Sequence, residues 1–358
     1  QTPASVKAEA DKWLSRPALS IIVSPGERGA YAEAKVPPKV EVKEAPIPPF
    51  KGTRGAMPGV TDLAGFTWPK VLRDRLSNGI ELVYVQRTAV PVTTVDVSFD
   101  AGVAADVADK LGTEYLTRSM LDEGTPTRDS TAIARAKEEI GAYIVSNSSA
   151  DRTKVTFSAP SANLAPGIDL LADIVRRPTF PAADVERVKA GQLAGIAQEL
   201  TSPDGLAGRV ATKYLYGPGS PYLKSQGGGD PKAVAALTAD DLRAWQQAWL
   251  RPDKAKIFVS SDRPLAEVKA ALERGFGDWR ASGVAGTKSF PAPAAATGAE
   301  KIVLVNRAGS PQSLIQGVLP TAVSGSGDFL PYSIGNDGLG GGFLGRINMN
   351  LREDKHWS

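Results

Sequence analysis

The chemistry open to this chain is bounded first by what it lacks. Its 358 residues include no cysteine and one histidine, His356. Thiolate catalysis and a disulfide framework are excluded. A zinc site built on a histidine pair is excluded too. A Ser-His-Asp triad would have to recruit His356, close to the C-terminal end, where chains fray. A carboxylate-only site stays open, although no paired-carboxylate motif stands out. Gly338, Gly340, Gly341 and Gly342 form a glycine-rich turn, but it lacks the Lys-Ser/Thr ending of a phosphate loop. Its backbone is better suited to close approach by a strand or a second domain. Trp13, Trp245 and Trp249 occupy apolar helix positions and read as core, not as a ligand cage.

Composition narrows the class. Hydrophobic residues make up 42% and charged residues 23%, an ordinary globular balance. The net charge of +3 comes from 42 basic and 39 acidic residues, too even a mixture to point to nucleic acid. No apolar run reaches the roughly 20 residues of a membrane span. The start, QTPASVKAEADKWL, lacks the basic and apolar regions of a signal peptide, and it opens on Gln1, not on a methionine.

The elements that must position any site follow from periodicity. A short helix is expected over 5–15 and a strand over 19–24. The Pro-rich stretch 26–66 reads as a linker. Residues 67–280 read as one α+β unit. It opens on a hairpin turned at Asn78-Gly79 and continues with an alternating strand through Thr93, Val95, Val97 and Phe99. A helix is expected over 109–121, and another after Ser130 as N-cap. Thr153, Val155, Phe157 and Ala159 alternate as a second strand. Leu164, Ile168, Leu171 and Val175 mark a helix, as do Val185, Val188, Ile196 and Leu200. Thr238 with Asp241 forms a capping-box variant ahead of Leu242, Trp245 and Trp249. A strand at 255–260 and a helix through Leu265, Val268 and Leu272 complete the unit, and an Ala/Gly/Pro linker follows over 281–298. Hairpins first and helices later predict a two-layer α+β fold, an antiparallel sheet covered by helices, and not a doubly wound parallel sheet.

The chain also repeats itself. Trp13, Leu14 and Val23 correspond to Trp249, Leu250 and Val259 at an offset of 236. Val83, Val85, Arg87 and Pro91 correspond to Val303, Val305, Arg307 and Pro311 at an offset of 220. Residues 1–25 therefore read as the tail of one repeat domain, 67–280 as a whole one, and 299–358 as the truncated head of the next.

Residues 112–125, GTEYLTRSMLDEGT, resemble the signature of the pitrilysin/insulinase-type zinc metallopeptidases, G-x-x-H-x-x-E-H-M-L-x-x-G-T. In that family two histidines on one helical face bind zinc and the glutamate activates water. The frame is kept at Gly112, Met120, Leu121, Gly124 and Thr125. Tyr115 and Ser119 replace the histidines, and Arg118 replaces the glutamate. An arginine cannot accept a proton and repels a divalent cation. Glu199 is the nearest acidic candidate for a third ligand, and it would be a lone carboxylate. The stretches YLYGPGSPY (214–222), GGGD (227–230) and LTADDL (237–242) extend the resemblance, which covers roughly 67–358.

The resemblance implies four such domains, as two halves of one chain or as two subunits, that enclose a chamber. One half carries zinc. The other often has a degenerate motif and supplies a Gly-rich loop with an Arg/Tyr pair that holds the substrate backbone. This chain resembles the second kind. Gly340, Gly341 and Gly342 would form the loop and Arg352 would supply the arginine, whose planar donors suit a carbonyl near a reacting centre. The tyrosine is expected seven residues further on. The implied function is the non-catalytic half of a zinc endopeptidase: chamber wall, substrate anchor and, through edge-strand pairing, a surface for an extended peptide. No residue here is assigned a catalytic role, and zinc is expected in the partner half, not in this chain. Peptides or unfolded proteins are the expected substrates. The alternative is a catalytically dead scaffold or peptide-binding protein of the same fold. A periplasmic location is expected, with a cytoplasmic one as the alternative.

Overall fold

The computed structural model describes residues 2–22, 55, 59, 67–216, 220–224, 228–288, 302–310, 312–319 and 327–357. The chain divides into two units, Gln1–Phe66 and Thr67–Ser358. In the first, helix α1 (Pro3–Leu14) starts at a capping box in which Thr2 and Ser5 exchange side-chain and backbone bonds. Residues 19–22 form no strand and are exposed, and 23–24 lie outside the described residues. Trp13 is 57% exposed, so it is not core: its helix buries no residue. The expected Pro-rich linker lies outside the described residues apart from positions 55 and 59.

In the second unit, strands β1 (Val71–Arg75), β2 (Glu81–Gln86) and β3 (Val92–Phe99) come first. Helix α2 (Thr113–Ser119) follows, then a small ladder of β4 (Gly124–Thr125) with β5 (Arg128–Asp129) and helix α3 (Ser130–Glu139). Strands β6 (Tyr143–Ser148) and β7 (Thr153–Pro160) lead into helices α4 (Leu164–Arg176), α5 (Ala182–Thr201), α6 (Pro203–Leu215), α7 (Pro231–Ala236) and α8 (Ala239–Trp249). Strand β8 (Ala255–Ser261) and helix α9 (Leu265–Phe276) close the series.

Six strands form one sheet in the order β1-β2-β8-β3-β7-β6. Every pairing is antiparallel except that of β2 with β8. The α+β expectation therefore holds, with one parallel pair where the late strand β8 slots between two early ones. Alternation does its work in β3 and β7, which present Val95, Val97, Val155 and Phe157 to one face, all fully buried. Leu82, Tyr84, Ile257 and Val259 continue that face, and α4 and α9 cover it with Ile168, Leu171, Leu272 and Phe276. A second, smaller core joins Leu116 and Met120 of α2 to Val185 and Ile196 of α5, Val234 of α7 and Leu242 of α8.

Local chemistry sets the element ends. Gly79 turns the first hairpin at φ 91°, a conformation that side chains with a Cβ avoid. Thr238 and Asp241 form the expected capping box. The cap of α3 is Asp129, whose carboxylate accepts from Ala132 N at 2.8 Å; Ser130 is the first helical residue. Helix α2 starts later than expected, at Thr113, because Gly112 at φ 107° interrupts the chain before it. After α9 the segment 281–288 is held against the sheet-and-helix body. Arg251 donates to Ser282 O and Gly283 O at 3.1 and 3.2 Å, and Gly286 N donates to Ala248 O at 2.9 Å. The Lys288 ammonium, 3% exposed, meets Asp151 O, Ala101 O and the Asp100 carboxylate at 2.6, 2.9 and 2.7 Å.

Further along, residues 329–336 form helix α10 (Phe329–Asn336). A wide helical turn at Asp337–Gly341 follows, then helix α11 (Arg346–Asn348) and a second wide turn at Met349–Asp354. Most side chains here are exposed, including Leu344 at 83% and Ile347 at 49%. No helix among the described residues is long and apolar enough to cross a membrane.

Candidate functional site

Helix α2 carries the motif positions, and its N-terminus is built from a distance. The Asp106 carboxylate accepts from Gly112 N and Glu114 N, both at 2.8 Å, and so satisfies two of the backbone donors that a helix start leaves open. Asp106 is 1% exposed. Burial pushes its carboxyl up to about 7, against the pull of those two N–H groups and of the Lys224 ammonium. Gly112 is required twice. Its φ of 107° disfavours any Cβ, and a Cβ there would lie 2.6 Å from Val234 Cγ2 and 2.8 Å from Gly228 O. Gln192 of α5 locks the crossing by donating to Gly112 O and Gly228 O at 3.1 and 2.6 Å.

Leu116 and Met120 turn one side of α2 into the second core, and Tyr115, Arg118 and Ser119 lie on the other. Tyr115 is 39% exposed, while Arg118 and Ser119 are partly buried. The Arg118 guanidinium is held at three points. Its Nε lies 3.4 Å from Glu114 Oε1, Nη1 donates to Ser146 O at 2.9 Å, and its plane sits 4.9 Å from the centre of the Tyr115 ring. Glu114 is itself buried at 1% exposure and accepts from the Thr153 hydroxyl at 2.9 Å. Burial raises its pKa, partly offset by Arg118 and Thr153.

These residues do not fit a divalent zinc ion. A fixed cation occupies the centre of the motif, and neither Tyr115 nor Ser119 offers an imidazole. Glu199 is spoken for: Arg209 grips both its oxygens at 3.0 and 2.9 Å while also donating to Gly229 O. Among the described residues no group of three or more His, Cys, Asp or Glu side chains could hold a metal ion.

Gly340, Gly341 and Gly342 lie in the exposed turn after α10, where a Cβ on Gly341 would lie 2.5 Å from the exposed Asp337 carboxylate. Arg352 is half exposed, 3.8 Å from Glu353 and 5.1 Å from the centre of the Phe343 ring. Its carbonyl accepts from His356 N at 3.2 Å, which places His356 in a helix-ending turn at φ 55°. Among the described residues no hydrogen bond or ion pair joins Arg352 to Tyr115, Arg118 or Ser119. Sequence reasoning missed Asp106 and Glu114. Glu114, four residues before Arg118, was legible as an ion-pair partner on one helix face. Asp106 reaches back across a loop and leaves no local signal.

Two family models match the chain. The insulinase (peptidase family M16) model matches residues 82–203 and the M16 inactive-domain model matches residues 236–358, more than half of the chain between them. An uncharacterized zinc protease of Mycobacterium leprae is 23% identical over 288 residues, 80% of this chain and 63% of that protein. Subunit 1 of the mitochondrial cytochrome b-c1 complex of Bos taurus is 28% identical over 177 residues, 49% of this chain and 36% of that protein. The chain thus spans less than two thirds of either relative. A solved structure of a peptidase M16 inactive domain from Pseudomonas fluorescens superposes with a TM-score of 0.67 at 25% identity, covering 80% of this chain and 68% of that one.

Proposed function

Because this chain belongs to the insulinase family of peptidases, family M16, we propose that it is the non-catalytic half of a zinc metalloendopeptidase. It forms part of the wall of a chamber and anchors peptide opposite a zinc-bearing half. The observation that carries this reading is the state of helix α2. Arg118, at the position of the general base, is ion-paired to buried Glu114, so the motif can neither deprotonate water nor ligate zinc. The domain frame proposed with it, taken from the repeat, is a preceding tail at 1–25, a linker at 26–66, a whole domain at 67–280, a linker at 281–298 and the truncated head of another at 299–358. Anchoring falls to Gly340, Gly341, Gly342 and Arg352, which leave backbone and guanidinium donors at the surface. Zinc belongs to the partner half, the substrates are peptides or unfolded proteins, and the compartment is the periplasm, where the absence of cysteine carries no cost.

A second reading, a scaffold of the same fold without peptidase activity in any copy, is favoured by the likeness to a cytochrome b-c1 complex subunit. The two readings separate on one assay. The chain is mixed with the zinc-bearing half encoded nearest to it, and cleavage of a quenched fluorescent peptide is followed. The endopeptidase reading expects activity that neither half has alone and that Arg352→Ala lowers by about tenfold or more, the loss of one charged donor at a reacting centre. No cleavage with any zinc-bearing half would favour the scaffold.

A further inference from the structure

Strand β6 is the end of the sheet, so among the described residues one side of it has no strand partner. Its ladder with β7 fixes which groups point outward. Ser149 N donates to Arg152 O at 2.9 Å, which makes 149–152 a hydrogen-bonded pair. Alternation along the antiparallel register then makes Asn147–Lys154, Val145–Thr156 and Tyr143–Ser158 the bonded pairs. The N–H and C=O groups of Ile144, Ser146 and Ser148 therefore face the open edge. Such a row is a template for another strand.

The middle acceptor of that row is taken. Ser146 O receives Arg118 Nη1 at 2.9 Å. Arg118 cannot leave cheaply, because it is the counter-charge of Glu114, a carboxylate 1% exposed. It is also stacked on Tyr115, which completes the fixation. A peptide strand laid along β6 would need the Ser146 carbonyl and the space of the guanidinium together.

We propose that Arg118 is an edge guard: by holding the Ser146 carbonyl from helix α2, it closes strand β6 to an incoming peptide strand, so that this edge does not bind extended peptide. The substitution that removes the base thereby also removes a docking edge, and peptide held by this chain is held elsewhere. This inference stands independently of the anchoring role of Arg352, since it concerns a different element and needs no partner half to test.

The test uses the whole chain and a dye-labelled peptide of alternating Thr and Val residues. Peptide binding is read by anisotropy, and the amide exchange of Ile144, Ser146 and Ser148 by NMR. In the wild type, added peptide leaves those three amides exchanging at their free rate. In the Arg118→Gln, Glu114→Gln double variant, which removes the guard and the charge it neutralises, the peptide binds at least about tenfold tighter and slows all three amides. Slowed exchange in the wild type on adding peptide would overturn the proposal, and so would a folded double variant that binds no better. Should the double variant lose its folded circular-dichroism spectrum, Arg118→Gln alone, whose amide can still donate to Glu114, carries the same comparison. The wild-type arm depends on no variant.

Discussion

Helix α2 and the segment 337–354 are the two places where chemistry was expected, and they are built in opposite ways. Around α2 several charged and polar side chains are tied to internal partners. Asp106 caps the helix, Gln192 bridges two backbone carbonyls, and Arg118 is divided between Glu114 and Ser146. In 337–354 the glycines, Arg352 and most apolar side chains face outward with few internal partners. A segment that spends its donors on itself is structural, and one that leaves them unspent is available to something else. The motif positions are part of the frame in the first region, while in the second the donors stay at the surface.

That contrast can be broken most sharply at glycine. Gly112→Val forces a Cβ into Val234 and Gly228 at a positive φ, and it should cost about 4 kcal/mol or more in urea denaturation. Gly338→Ala has open space around it and should cost under about 1 kcal/mol. Equal costs would erase the distinction between the two regions.

Charge gives the next test. Arg118→Met leaves Glu114 buried without its cation and should destabilise by about 3 kcal/mol. Arg352→Met, at a half-exposed site, should stay within about 0.5 kcal/mol in the same denaturation.

The pH dependence follows from Asp106. Its folded pKa of about 7 lies above the ordinary carboxylate value, so the folded state binds the proton more tightly than the unfolded state. The stability this contributes is full below about pH 4 and is lost as pH rises through about 7. Glu114 is shifted in the same direction by burial. The unfolding midpoint should therefore fall between about pH 5 and pH 8, and the Asp106→Asn, Glu114→Gln double variant should flatten that slope. A slope unchanged in the variant would mean that the pair is not buried as described. The smallest effect concerns local opening. Amides in 302–357 should exchange faster than those in β3, β7 and α4, and equal protection would show that the later segment has joined a sheet.

Elements with a local signature were legible in the sequence. Thr153, Val155, Phe157 and Ala159 alternate because one face of β7 is buried, and Leu164 to Val175 repeat because α4 lies on that face. What was not legible depends on distant partners. Strand β8 pairs with residues 81–86 and 94–99, well over a hundred residues earlier, and nothing within 255–261 encodes that insertion. Strand β6, YIVSNS, is short and half polar because it is an edge, and so it carries little periodicity. Trp13 has an apolar spacing in a helix that buries nothing. At the site, the departure of Tyr115, Arg118 and Ser119 from the motif was legible in the sequence. The use to which Arg118 is put was not, because Ser146 lies 28 residues away on another element.

With Arg118 paired to Glu114 and Arg209 to Glu199, the chain is expected to leave zinc unbound at α2. The check is the zinc content of the purified chain, measured by elemental mass spectrometry after dialysis against micromolar zinc. The expected ratio is near zero per chain, unchanged in Arg118→Lys. A ratio near one that falls when Glu114 or Glu199 is replaced by Gln would contradict it, because those carboxylates would then be holding a metal instead of Arg118 and Arg209.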